Sequence, residues 1–101
     1  MYGTIARFRV NPGTEAELLA LSSDPEFTRI QGWVSSCVYR MDADPNEFYL
    51  AVVFESKEAY FANANTPEQN ARFLQLRALM ASDPEWHDGE IVDYSTAAAT
   101  S

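Results

Sequence analysis

The sequence predicts an α+β chain in the ferredoxin-like order βαββαβ, with a four-stranded antiparallel sheet and helices on one face. Three observations carry this. Strand-like alternation and capped helical stretches follow one another in that order, a turn-rich pentapeptide joins the two middle strands, and those strands are apolar on both sides.

Residues 2–10, "YGTIARFRV", alternate: Tyr2, Thr4, Ala6, Phe8 and Val10 share one face, and Gly3, Ile5, Arg7 and Arg9 the other. "NPG" turns the chain. In "TEAELLAL", Thr14 and Glu17 have the spacing of a capping box, predicting a helix from Glu15 to Leu21. Asp24 followed by Pro25 reads as a second cap, predicting a short helical turn before Gly32. Ser56 caps a helix in "SKEAYFANAN", and Thr66, Pro67 and Gln69 open the next, where Phe73, Leu76, Arg77 and Met80 form a stripe. "EIVDY" reads as the last strand.

"GWVSSCVYRM" and "EFYLAVVFE" are rich in aromatic and β-branched residues, and "DADPN" between them makes the pair a hairpin. With Met41 opposite Phe48, Ser35, Cys37 and Tyr39 fall on the face of Leu50, Val52 and Phe54. The other face, with Val34, Val38, Tyr49, Ala51 and Val53, is apolar as well. Helices cover one side only, so the second needs a cover too, and two such sheets face to face make a dimer enclosing a barrel. On this reading Arg7 pairs with Glu55 within the interface.

Composition sets further bounds. One domain is expected over residues 1–95, with a disordered tail over 96–101 that lacks large apolar side chains. A formal charge of -8 with scattered basic residues speaks against nucleic acid, and no apolar run is long enough to cross a membrane as a helix. The single cysteine, Cys37, rules out an internal disulfide or a thiol-held metal and suits a cytoplasmic protein. "DADPNE" lacks the glycine and spacing of a calcium loop.

The "RFRVNPG" end of the first strand, the "VFESKEAYFAN" junction, and a late tryptophan with "GE" before the last strand together resemble the dimeric α/β-barrel superfamily. Within it they resemble the antibiotic biosynthesis monooxygenase family, over roughly Tyr2 to Tyr94. The resemblance implies a homodimer built through the sheet face. The superfamily so resembled includes cofactor-free oxygenases, haem-degrading enzymes, isomerases and many proteins of unknown role. The places that the haem-degrading branch fills with asparagine, tryptophan and histidine hold Ala6, Asn63 and Phe73 here, which disfavours haem chemistry.

Oxygenation without a metal, flavin or other cofactor needs a dry aromatic pocket and help in removing a proton from a phenol- or quinol-like polyketide or other small aromatic molecule. The substrate-binding candidates are Phe8, Trp33, Cys37, Phe54, Phe61, Phe73 and Trp86, though such residues more ordinarily fill a core or, for the tryptophans, anchor a loop or helix end. The catalytic candidates are His87, whose ordinary pKa of about 6.5 suits a base, and Tyr39, a hydrogen-bond donor for a phenol or quinone oxygen. His87 also reads as an exposed residue after a proline. The rival function is a non-catalytic, ligand-binding or stress-associated barrel.

Overall fold

A computed structural model describes residues 1–23, 25 and 29–97. In chain order the elements are β1 (Tyr2–Arg9), α1 (Glu15–Ser22), β2 (Trp33–Arg40), β3 (Glu47–Phe54), α2 (Lys57–Ala64), α3 (Pro67–Arg77) and β4 (Glu85–Glu90). The strands form one antiparallel sheet in the order β2-β3-β1-β4, the ferredoxin-like arrangement expected, with the second helical segment divided in two.

The capping chemistry explains that division. Ser56 accepts a hydrogen bond from the Ala59 amide, and Thr66 accepts one from Gln69, so a fresh helix starts at Pro67, where no amide proton is needed. Thr14 departs from the expected capping box. Its hydroxyl donates to the Asn11 carbonyl at 2.7 Å and makes no bond to its own helix. It closes the turn around Gly13, whose φ of 85° is a left-handed value. The helical turn expected after Asp24 falls mostly outside the described residues, as does most of the expected tail.

The hairpin register differs by one residue from the sequence expectation. Asp44 Oδ1 accepts from the Asn46 amide, and the Met41 amide donates to the Glu47 carbonyl, so the loop closes with Met41 opposite Glu47 rather than Phe48. A shift of one residue exchanges the faces of a strand. Val38 and Ser36 therefore stand with Leu50 and Val52 beneath the helices, while Tyr39 and Cys37 stand with Tyr49 and Ala51 on the open face. A register irregularity between Trp33 and Ser35 reverses the parity again, and Trp33 lies opposite Phe54.

The core occupies one end of the helix-covered face. Phe8 and Phe48 are directly paired across β1 and β3 and stack with centroids 5.9 Å apart, and Val10, Leu18 and Met80 complete the cluster. An isolated bridge between Val10 and Met80 ties the end of β1 to the segment after α3. Gly3 is a close-approach position: a β-carbon there would stand 1.9 Å from the Val52 carbonyl oxygen.

The last strand also begins earlier than the sequence suggested. Glu85 to Glu90 pair with β1 from Arg7 back to Tyr2, so "EWHDGE" forms β4 and "IVDY" follows it. β1 has a partner strand on each side, and its alternation fixes which residues of β4 point inward. Trp86 and Asp88, opposite Ala6 and Thr4, share the helix side, whereas His87, opposite Ile5, belongs to the open side.

Candidate functional site

At the end of the sheet away from the Phe8–Phe48 stack, the helices leave a cavity of about 450 Å³. That volume is within the range of small-molecule sites, roughly 300–1,000 Å³. Its floor is Thr4, Leu50, Val52 and Phe54 from the central strands, and its roof comes from Tyr60, Phe61 and Asn63 on α2 and Arg72, Phe73 and Leu76 on α3. Trp33 and Trp86 stand on the two edge strands, so the cavity spans the width of the sheet.

The aromatic wall is braced by ring-to-ring contacts, edge-on around Tyr60 and tilted between Phe73 and Trp86. Tyr60 meets Phe54 with centroids 5.6 Å apart and Phe61 with centroids 5.0 Å apart, and Phe73 meets Trp86 with centroids 6.1 Å apart. Two polar groups interrupt this wall. On the helix side Gln69 Oε1 accepts from Asn63 Nδ2 at 3.4 Å and from Arg72 Nε at 3.3 Å. On the sheet side the Tyr60 hydroxyl donates to Asp88 Oδ1 at 2.9 Å, close to the buried Thr4. Burial first, then the hydrogen bond to Asp88, pushes the Tyr60 phenol up to about 12. It is thus a fixed proton donor at neutral pH.

Of the residues singled out in the sequence, Trp33, Phe54, Phe61, Phe73 and Trp86 line this cavity together. Phe8 does not, because its ring is consumed by the packed core. Cys37, expected to be buried in the pocket, is exposed on the opposite side of the sheet. Tyr39 lies there too, and its hydrogen bond with Cys37 holds its phenol above the usual value. The His87 imidazole is 62% exposed, with Nε2 3.6 Å from Glu85 Oε1, and it faces away from the cavity. Arg7 bonds Glu47 Oε1 and reaches Glu85 Oε2 at 3.4 Å, replacing the expected Glu55 pairing within the chain.

Sequence reasoning missed Tyr60, Asp88 and Thr4 as a group. Thr4 was legible as an inward residue of β1, and Tyr60 sits one turn of α2 before Asn63. Asp88 was hidden by the late placement of the last strand, since its direction follows only from pairing with β1.

A ferredoxin-like sheet with an aromatic-lined cavity beneath its helices defines the class: a small α+β protein with an apolar pocket between sheet and helices. The chain matches the model of the antibiotic biosynthesis monooxygenase family over residues 1–73, and it belongs to that family. No curated protein matches its sequence. Among solved structures it is similar to a variant of SnoaB, a cofactor-independent oxygenase from Streptomyces nogalater, at 20% identity and a TM-score of 0.79, covering 92% of this chain and 94% of that one. It is also similar to Rv0793 from Mycobacterium tuberculosis, at 20% identity and a TM-score of 0.75, covering 94% and 98%. A conserved protein from Methanosarcina mazei Go1 matches at 14% identity and a TM-score of 0.77, covering 87% and 89%. At these identities the likeness is one of fold.

Proposed function

We propose that this chain is a cofactor-independent monooxygenase acting on a small aromatic, phenol- or quinol-like substrate held in the cavity. The observation that carries the reading is the cavity itself, with aromatic walls from both sheet edges and from two helices and two polar groups. Family membership supports an oxygenase, and SnoaB lends the cofactor-free chemistry.

The chemistry asks little of the protein beyond placement and dryness. Loss of a proton turns an activated ring into an enolate, which passes one electron to dioxygen. The resulting radical pair combines to a hydroperoxide, and loss of water leaves a carbonyl. One oxygen atom enters the product and the other leaves as water, the electrons coming from the substrate. Trp33, Phe54, Phe61, Phe73 and Trp86 supply the wall that grips the ring and excludes water. His87 and Tyr39 take a different role in this proposal, as residues of a subunit interface.

That interface is the open face. Ile5 is 53% exposed and Tyr39 is 55% exposed, and they flank the apolar surface of Tyr49 and Ala51. A contiguous apolar surface of this kind on a soluble chain marks an interaction site, and a second copy offers the matching one.

Oxygen uptake with a panel of anthrones and quinols tests the enzymatic reading, with one dioxygen consumed per substrate as the expected result. Phe73→Ala and Trp86→Ala lower kcat/KM by about tenfold or more, since an aromatic side chain against a ligand contributes roughly 1.5–3 kcal/mol. His87→Ala and Tyr39→Phe leave turnover largely intact. Binding without oxygen uptake would transfer the cavity to the non-catalytic, ligand-binding alternative, and conversion without oxygen would indicate an isomerase.

A further inference from the structure

We infer that Thr4, Tyr60 and Asp88 form a recognition corner that accepts a hydroxyl group of the aromatic ligand and rejects a carbonyl in the same position. This deepens the reading above and rests on it, since it presupposes an aromatic ligand in the cavity.

The corner is assembled by pairing. Thr4 on β1 and Asp88 on β4 are direct partners in the ladder, both on the helix side, and Tyr60 reaches them from α2. All three line the cavity. Rings of Tyr2, Phe54 and Phe61 surround Tyr60 and fix where its hydroxyl can stand.

Counting protons and lone pairs gives the selectivity. The Thr4 side chain is buried, at 5% exposure, and its hydroxyl has no hydrogen-bond partner. It lies near enough to the Tyr60 oxygen to act on that phenol in the lowering direction, without a bond of good geometry. A buried hydroxyl in that state is costly to the fold and is satisfied by an incoming group. Tyr60 spends its only proton on Asp88 Oδ1. What the corner still offers a ligand is one donor, the Thr4 hydroxyl, and acceptors on Asp88 and Tyr60.

A ligand hydroxyl fits that offer at both ends. It accepts from Thr4 and donates to the second oxygen of Asp88, a charge-assisted bond when the carboxylate is ionised. A carbonyl or ether oxygen can only accept from Thr4, and it sets its lone pairs against the carboxylate. In the proposed oxygenation the hydroxyl that loses its proton becomes a carbonyl. Reaction therefore turns a favoured ligand into a disfavoured one, and the same three residues that hold the substrate promote departure of the product.

Binding to the full chain, followed by quenching of Trp33 and Trp86 fluorescence and by calorimetry, tests this with three probes: 2-naphthol, 2-methoxynaphthalene and 1,4-naphthoquinone. The hydroxyl probe is expected to bind about tenfold or more tightly than either of the others, the worth of a hydrogen bond to a charged group. Thr4→Val weakens all three probes, since each accepts from that hydroxyl, and leaves the preference for the hydroxyl probe in place, whereas Thr4→Ser keeps both affinity and preference. Asp88→Asn presents an amide donor and moves the preference towards the quinone. Equal binding of naphthol and ether by the unaltered protein overturns the inference, whatever the variants do. So does a preference that survives Asp88→Asn. If none of the probes binds, the aromatic-pocket reading itself falls and takes this corner with it, a result distinct from binding without discrimination.

Discussion

Gly3→Ala is the substitution whose outcome follows most directly from distances. An added methyl carbon would lie 1.9 Å from the Val52 carbonyl oxygen and 3.0 Å from its carbon, both backbone atoms of the neighbouring strand. Relief requires the strands to part by more than about 1 Å to reach ordinary contact distance, and a ladder bond stretched that far is lost. Two such bonds at about 0.5–1.5 kcal/mol each, added to about 1–3 kcal/mol of overpacking strain, give a cost of about 2–5 kcal/mol. For a domain of this size that lowers Tm by about 10–30 °C. Gly89 provides an internal control: it sits opposite Gly3 on β4, yet a β-carbon there meets nothing within 4 Å. Urea titration and calorimetry of both variants read the difference. Gly3→Ala should unfold much earlier, and Gly89→Ala should match or slightly exceed the unaltered protein. Equal midpoints for the two would refute the claim that β1 and β3 are too close at this point for any side chain.

Two further outcomes are expected. In an ultraviolet titration of tyrosinate formation, one tyrosine, Tyr60, ionises near 12, and Asp88→Asn lowers that value without bringing it to 10, because burial is the larger cause. The folded state holds the Tyr60 proton more tightly than the unfolded chain does, so this residue's contribution to stability is constant below about pH 10 and is lost between pH 10 and about 12. Ile5→Asp places a carboxylate in the middle of the open face, between Ala51 and His87, and should convert a sedimenting dimer to a monomer with the fold intact by circular dichroism. A chain that sediments as a monomer before the substitution contradicts the proposed pairing.

Much of the architecture was legible because it depends on local chemistry. Ser56, Thr66 and Pro67 announce two helix starts in their own side chains, and the alternation of Thr4, Ala6 and Phe8 reports the inward face of β1 wherever its partners lie. Facing across the hairpin was not local in the same sense. It turned on whether Asp44 would take the Asn46 amide and set Met41 against Glu47, a choice between loops one residue apart, and both Tyr39 and Cys37 changed sides with it. The cavity's aromatic lining survived this error because Trp33, Phe61, Phe73 and Trp86 reach it from other elements or past the irregularity in β2. His87 and Asp88 show the same limit in miniature. Adjacent residues of a strand point to opposite sides, so the position of the last strand's first residue decided which of the two met the ligand space, and only the ladder with β1 fixed it.

The sheet has two rims, and each resists growth by a different means. Every residue of β4 is exposed, and Glu85, Asp88 and Glu90 set three carboxylates along that border of an already anionic chain. The opposite border is bent out of line where β2 loses register between Trp33 and Ser35. A further strand adding to the first border meets charge repulsion, and one adding to the second finds no straight template. Lateral addition of strands, the route into fibres, is hindered at both ends, which leaves the broad greasy surface as the place for the proposed pairing.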